Sequence, residues 1–80
     1  MFMVVRSPPN PAVGPTVKRL REARSMTQED VAFAARLNVS GLSKLERGKV
    51  DPLWGTVERI AKTFGMSVSE LAQAIEDTAA

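Results

Sequence analysis

The stretch TQEDVAFAARLNVSGLSKLERGK, residues 27–49, decides the fold of this 80-residue chain. Thr27 can cap a helix, because its hydroxyl accepts hydrogen bonds from the unpaired N–H groups of a first helical turn. The acidic residues Glu29 and Asp30 favour the positive end of the same helix dipole. Apolar residues then recur at helical spacing and predict a buried side formed by Val31, Ala32 and Ala35.

A second helix is predicted after a short break at residues 36–38. Asn38 is a favoured N-cap residue, and Gly48 suits the left-handed position at which many helices end. Leu42 and Leu45 share the inner side of this helix. The outer side is mostly polar and holds Val39, Ser40, Ser43, Lys44 and Arg47.

Two short helices joined by a tight break form the helix-turn-helix arrangement. Ala32 is small, as it must be where two helices cross closely. An α-helix fits the major groove of DNA, and side chains near its N-terminus can reach base edges there. The stretch therefore predicts a DNA-binding unit in which the second of its two helices reads the sequence.

Three further helices surround this unit, so the predicted fold is all-α with five helices. The first helix ends near Arg24, Pro52 opens the fourth, and a capping box at residues 67–70 opens the fifth. The predicted inner stripes are Val13, Val17 and Leu20 on the first helix, Val57, Ile60, Ala61 and Phe64 on the fourth, and Val68, Leu71, Ala72 and Ile75 on the fifth.

The pattern predicts one DNA-binding domain over residues 13–76. The proline-rich segment RSPPNP (6–11) predicts a flexible N-terminal arm over residues 1–12, and residues 77–80 are predicted to form a C-terminal tail. Because a chain this short holds a single core, we expect no effector domain and no small-molecule effector. Apolar runs are too short to cross a membrane.

Cysteine and histidine are both absent from the sequence. Their absence excludes disulfides, most zinc sites, a histidine general base and a cysteine nucleophile. We therefore expect no enzyme activity, no metal and no cofactor. A cysteine-free chain also fits the reducing cytoplasm.

Charge is distributed unevenly along the chain. Residues 1–49 carry nine Lys or Arg against four Asp or Glu, a net charge of +5, whereas residues 50–80 carry two against five, a net charge of −3. Such asymmetry favours a basic face for an anionic partner, most often nucleic acid.

The longer stretch TQEDVAFAARLNVSGLSKLERGKVDP (27–52) resembles the Cro/lambda-repressor-type helix-turn-helix, known as the XRE family. The matching features are Gln28 at the start of the second helix, Ala32 at the crossing, the Leu42–Ser43 pair and the sequence LERGK. The resemblance runs from about Val13 to Leu71. It implies a five-helix domain that binds double-stranded operator DNA as a homodimer.

Two positions depart from the family pattern. Arg36 stands in the turn, where the family commonly has a glycine with positive φ. Gly41 lies inside the third helix, where glycine costs about 1 kcal/mol relative to alanine. It can either weaken the reading helix or allow a close approach to DNA.

The resemblance implies a role for each residue that it matches. Val39, Ser40 and Lys44 resemble base-reading residues: a thymine methyl, several base edges and guanine O6/N7 are their expected targets. The residues that resemble phosphate contacts are Gln28, Asn38, Ser43, Arg47 and Lys49. For Arg47 a structural role at the helix C-terminus is an equal alternative.

Arg21 and Glu46 match a structural pair of the family that clamps the first helix to the third. A twofold dimer needs a self-complementary apolar surface away from the basic face. Ile75, with Trp54 behind it, is the predicted dimer interface, and Leu53 is a further candidate.

Three functions are compatible with these features. The first is a transcriptional regulator on a pseudo-palindromic operator, since restriction–modification controller proteins and small phage-type repressors resemble this single-domain build. The second is the antitoxin of a toxin–antitoxin pair, whose main partner is a protein. The third is a protein-interaction module without DNA binding.

Overall fold

The protein, in a computed structural model, is described over residues 9–79 and contains five helices in that range. They are α1 (Val13–Ala23), α2 (Gln28–Ala35), α3 (Val39–Glu46), α4 (Trp54–Thr63) and α5 (Val68–Ala79). No strand occurs among the described residues. The predicted all-α architecture with a helix-turn-helix at the second and third helices is confirmed.

Side-chain caps start three of the helices at the residues that the sequence predicts. Thr27 and Asp30 form a capping box at the start of α2, and Asn38 accepts from the backbone N–H of Gly41 at 2.8 Å at the start of α3. Ser67 and Glu70 cap each other's backbone N–H groups before α5. Each cap satisfies N–H groups that the helix itself leaves unpaired.

A residue with positive φ follows each of the first four helices: Ser25, Arg36, Gly48 and Gly65. Gly48 follows α3 with φ 75°, as predicted. Arg36 ends α2 with φ 58° and ψ 46°, so the arginine adopts the conformation that glycine commonly supplies at this turn. The turn therefore has the family's geometry in spite of the departure in sequence.

All five helices pack around one hydrophobic core. α2 packs against α3 and α4, while α1 packs against α3 and α5. Because every helix contributes to one cluster, the helix-turn-helix is held on a rigid base. The buried apolar residues are Val17, Leu20, Val31, Ala32, Ala35, Leu42, Leu45, Ile60, Ala61, Phe64 and Leu71.

The structure corrects two predicted details of α4 and α5. α4 begins at Trp54 rather than at Pro52, because Pro52 lies in the loop before the N-cap residue Leu53. Ala72 is exposed, whereas Ala74 is partly buried and packs on the core together with Ile75. The inner stripe of α5 is therefore Val68, Leu71, Ala74 and Ile75, at spacings of three and four residues, and only Ala72 was predicted wrongly.

Residues just outside the predicted domain range 13–76 also belong to the folded structure, while the domain division itself stays a prediction. α5 continues to Ala79, and its Thr78 hydroxyl accepts a hydrogen bond of 2.8 Å from the buried Thr16 of α1. At the other end Ala12 is buried at the start of α1. The backbone N–H of Asn10 donates to the carboxylate of Asp51 at 3.0 Å. The rest of the predicted arm, residues 1–8, lies outside the described residues.

Among residues 9–79, no helix is long and apolar enough to cross a membrane.

Candidate nucleic-acid interface

The outward side of α3 presents the three side chains that the resemblance implies as base readers. Val39, Ser40 and Lys44 are all exposed. Leu42 and Leu45 on the opposite side are buried and fix the rotation of the helix about its axis. All three candidates therefore share a rigidly placed surface of α3, with Val39 and Ser40 in its first turn and Lys44 in its last.

Gly41 lies directly beside the side chain that caps α3. The Oδ1 atom of Asn38 accepts from the backbone N–H of Gly41 at 2.8 Å and from the hydroxyl of Ser40 at 3.3 Å. A Cβ atom at position 41 would lie 2.7 Å from the same Oδ1. A side chain at position 41 would therefore require the Asn38 amide group to shift, although the caps of α2 and α5 form over Asp30 and Glu70, which carry Cβ atoms. The amide nitrogen of Asn38 is left for an acceptor outside the helix.

The exposed charges from Val39 to Lys49 are all positive. Lys44, Arg47 and Lys49 are exposed, while the one acid in this range, Glu46, is buried. Arg47 donates through Nε to the carbonyl of Ser43 at 3.3 Å, within the last turn of α3. That bond is part of the structural role predicted as the alternative, and it leaves the two Nη groups to other acceptors.

Arg21, Gln28 and Glu46 meet at one buried carboxylate. Arg21 donates through Nε to Glu46 Oε2 at 2.7 Å and through Nη2 to Oε1 at 3.0 Å. Gln28 Nε2 donates to the same Oε1 at 3.0 Å. Donating hydrogen bonds to the Glu46 carboxylate raises the pKa of Arg21 above its ordinary value. The structure therefore forms the ion pair that the sequence suggested, and it adds Gln28 to that pair.

The predicted dimer residues differ in exposure. Trp54 is 65% exposed, whereas Ile75 is partly buried and packs against the core of its own chain. Leu53 is 81% exposed beside Trp54, and Val50 is exposed in the preceding loop. We call Val50, Leu53 and Trp54 the apolar patch. It lies between the end of α3 and the start of α4.

Several residues that position this surface were not predicted. Gly14 brings α1 against the end of α3. A glycine inside a predicted helix is the sequence signal that indicates such a close crossing. Arg59 of α4 donates through Nε to the carbonyl of Ala35 at 2.8 Å and so holds the C-terminus of α2. Arg24 donates to the carbonyl of Phe64 at 3.2 Å and lies over its ring. Neither arginine has a local sequence signal.

A shallow depression of about 370 Å³ lies between α2 and α4. The depression is lined by Ala34, Arg36, Arg59, Lys62 and Thr63. Of these, Arg59 is already bound to the end of α2.

Within residues 9–79, no group of three or more His, Cys, Asp or Glu is placed to hold a metal ion.

Comparison with known families gives a match over most of the chain. The family described as "Helix-turn-helix domain" matches residues 12–74. The transcriptional regulator DdrOP3 of Deinococcus deserti is 37% identical over 60 residues, which cover 75% of this chain and 46% of that protein. The chain thus spans less than half the length of that relative.

A second relative is closer in length, and a solved structure has the same fold. The uncharacterized helix-turn-helix-type transcriptional regulator y4dJ of Sinorhizobium fredii is 35% identical over 66 residues, covering 82% of this chain and 86% of that one. The crystal structure of the restriction–modification controller protein C.AhdI from Aeromonas hydrophila superimposes with a TM-score of 0.73. It is 26% identical, with 76% of this chain and 92% of that chain covered.

Proposed function

Because this chain belongs to the family of XRE-type helix-turn-helix transcriptional regulators, we propose that it binds a pseudo-palindromic operator as a homodimer. The binding regulates transcription and requires no enzyme activity, no cofactor and no small-molecule effector. We place the protein in the cytoplasm, because a sequence without cysteine fits that reducing compartment.

The observation that carries the proposal is the outer side of α3. It is exposed, all of its exposed charges are positive, and it is held in place by two buried leucines on the inner side. A helix of this kind fits the major groove, where Lys44 reaches guanine and Ser40 reaches base edges near the helix N-terminus. Val39 supplies an apolar contact for a thymine methyl group.

Phosphate contacts flank this reading surface. Lys49 and the Nη groups of Arg47 contact the DNA backbone from the C-terminal end of α3. Gln28 and Asn38 do so from the N-terminal ends of α2 and α3, where unpaired N–H groups attract anions. Ser43 contributes from the partly buried side of α3. These contacts fix the register of α3 in the groove and carry no sequence information.

A homodimer supplies the second reading helix. One half-site gives little discrimination among the many competing sites of a genome. Two copies related by a twofold axis place their reading helices about 34 Å apart, one turn of DNA. The apolar patch is the surface that supports this assembly best, because Leu53 and Trp54 are the most exposed large apolar residues near α4.

The test is selection of bound sites from a random pool of double-stranded DNA. We expect an inverted repeat whose half-site centres are about one helical turn apart. Lys44→Glu should abolish the enrichment. Lys62→Glu makes the same charge reversal at an exposed position of α4 and should preserve it. A wild-type protein that enriches no sequence would contradict the proposal, and a single unrepeated half-site would contradict the homodimer.

A further inference from the structure

The carboxylate of Glu46 binds side chains from two other helices through one oxygen. Its Oε1 atom accepts from Arg21 Nη2 and from Gln28 Nε2, both at 3.0 Å. The residue is only 8% exposed, so its charge is satisfied by these partners rather than by water. Glu46 thus joins α1, α2 and α3 at the N-terminal end of α2.

This contact decides which way the Gln28 amide faces. A carboxylate only accepts hydrogen bonds, so the nitrogen and not the oxygen of Gln28 must face Glu46. One Nε2 proton is used in that bond, and the second is left for another acceptor. Arg21 holds the same end of α2, because its Nη1 donates to the carbonyl of Met26 at 2.9 Å, just before the N-cap residue Thr27.

We infer that Glu46 is a positioning residue for the phosphate contact of Gln28. This inference rests on the proposed function. Glu46 is buried and does not touch DNA itself. It presents the second Nε2 proton of Gln28 at a helix N-terminus, where the neighbouring N–H groups favour a phosphate. A glutamine held in this way has lost its rotamer freedom before DNA arrives, which strengthens the contact.

A double-mutant cycle tests the inference. Arg21→Met with Glu46→Leu replaces the buried ion pair by apolar residues, a change that folded proteins commonly tolerate. Gln28→Ala is made in the wild-type and in this apolar background, and affinity for the selected operator is measured. We expect Gln28→Ala to weaken binding about tenfold in the wild type and less than about twofold in the apolar background. The salt dependence should not change, since Gln28 is neutral.

The control is Gln73→Ala, which removes a glutamine of α5 that donates to Asp77. It should leave operator affinity unchanged in both backgrounds. A loss of about tenfold on Gln28→Ala in both backgrounds would overturn the inference and leave the proposed function intact. Failure of the wild type to bind any operator would overturn the proposed function itself.

A measurement on the DNA-free wild type keeps the test independent of whether the apolar variant folds. Hydrogen exchange of the side-chain amide protons is followed by NMR. We expect one Gln28 Nε2 proton to exchange more slowly than those of the exposed Gln73. Equal exchange at the two glutamines would show that Glu46 does not hold Gln28, and the inference would be wrong.

Discussion

Gly14 of α1 lies directly against the backbone of Leu45 in α3. A Cβ atom on Gly14 would stand 2.5 Å from the carbonyl oxygen of Leu45 and 2.6 Å from that of Glu46. Both neighbours are backbone atoms, so no side-chain rotation can make room. Glycine therefore sets the distance at which α1 crosses the end of the helix that carries the proposed base readers.

Gly14→Ala should lower the free energy of unfolding by about 1–3 kcal/mol, because the added methyl group forces α1 and α3 apart. The expected sign is opposite to helix propensity, which favours alanine over glycine by about 1 kcal/mol. Urea unfolding followed by circular dichroism measures the difference.

Gly55→Ala is the matched control within α4. A Cβ atom there would lie 3.4 Å from the end of the flexible Arg59 side chain, so the propensity gain should appear as stabilisation of up to about 1 kcal/mol. If both substitutions stabilise the protein, the close crossing at Gly14 does not constrain the helices.

Arg36→Gly should stabilise the protein by about 0.5–1 kcal/mol. Arg36 holds a left-handed conformation with φ 58°, which costs a residue with a Cβ atom about 1–2 kcal/mol. Glycine avoids this cost but loses more backbone entropy on folding, which offsets part of the gain. Gly65→Ala makes the reverse exchange at φ 68°, where a Cβ atom would meet none of the described residues within 4 Å. It should destabilise by a similar amount, and urea unfolding of both variants gives the comparison.

Acid should weaken α2 and α5 through their capping boxes. The backbone N–H of Thr27 lowers the pKa of Asp30, and that of Ser67 lowers the pKa of Glu70. Because these pKa values are lower in the folded state, the stabilisation is present above the ordinary pKa of each carboxyl and is lost as pH falls through the lowered value. Asp30→Asn should therefore destabilise the protein at neutral pH and have less effect once the pH has fallen below the lowered pKa of Asp30. An equal loss at both pH values would show that the charge of Asp30 does not contribute.

The starts of α2, α3 and α5 were predictable because capping is local. Thr27, Asn38 and Ser67 each act on N–H groups within three residues, and that spacing is visible in the sequence. The predicted inner stripe of α5 was partly wrong, because it depends on packing between helices and not on local sequence. Ala72 and Ala74 are equally small and apolar, so only packing against α1 and α4 decides which of them faces the core.

In the candidate site too, features set by one helix were predicted and features set by packing between helices were not. The outward side of α3 follows from the buried positions of Leu42 and Leu45, and its exposed residues were predicted for that reason. The hydrogen bond of Gln28 to Glu46 was not predicted, because it depends on how α2 and α3 cross. The specific roles of Val39, Ser40 and Lys44 come from family resemblance and stay predictions.

Lys44→Ala and Lys49→Ala should separate base reading from phosphate contact. Lys44→Ala should relax preference at one base position and cost about 1–3 kcal/mol on the preferred operator. Lys49→Ala should weaken binding to all sequences similarly and reduce the salt slope by about one phosphate contact. Affinities on the operator and on its single-base variants, measured at several salt concentrations, give both quantities. A sequence-neutral effect of Lys44→Ala would show that Lys44 does not read a base.

Leu53→Asp should dissociate the proposed homodimer without harming the fold of the monomer. Leu53 is the N-cap residue of α4, and among residues 9–79 no side chain caps this helix. Aspartate is a favoured N-cap, so the substitution should stabilise α4 by about 1 kcal/mol while placing a charge in the apolar patch. Ile75→Asp is a less clean test, because Ile75 also packs on its own core.

Phe33→Asp supplies the control for that experiment, since Phe33 is 89% exposed on α2 and lies outside the apolar patch. Sedimentation equilibrium should show a dimer for the wild type and for Phe33→Asp, and a monomer for Leu53→Asp. The monomer should also lose cooperative binding to two half-sites, because each copy then binds its half-site alone. A Leu53→Asp protein that still sediments as a dimer would place the interface elsewhere on the molecule, and dissociation of Phe33→Asp would place it on α2.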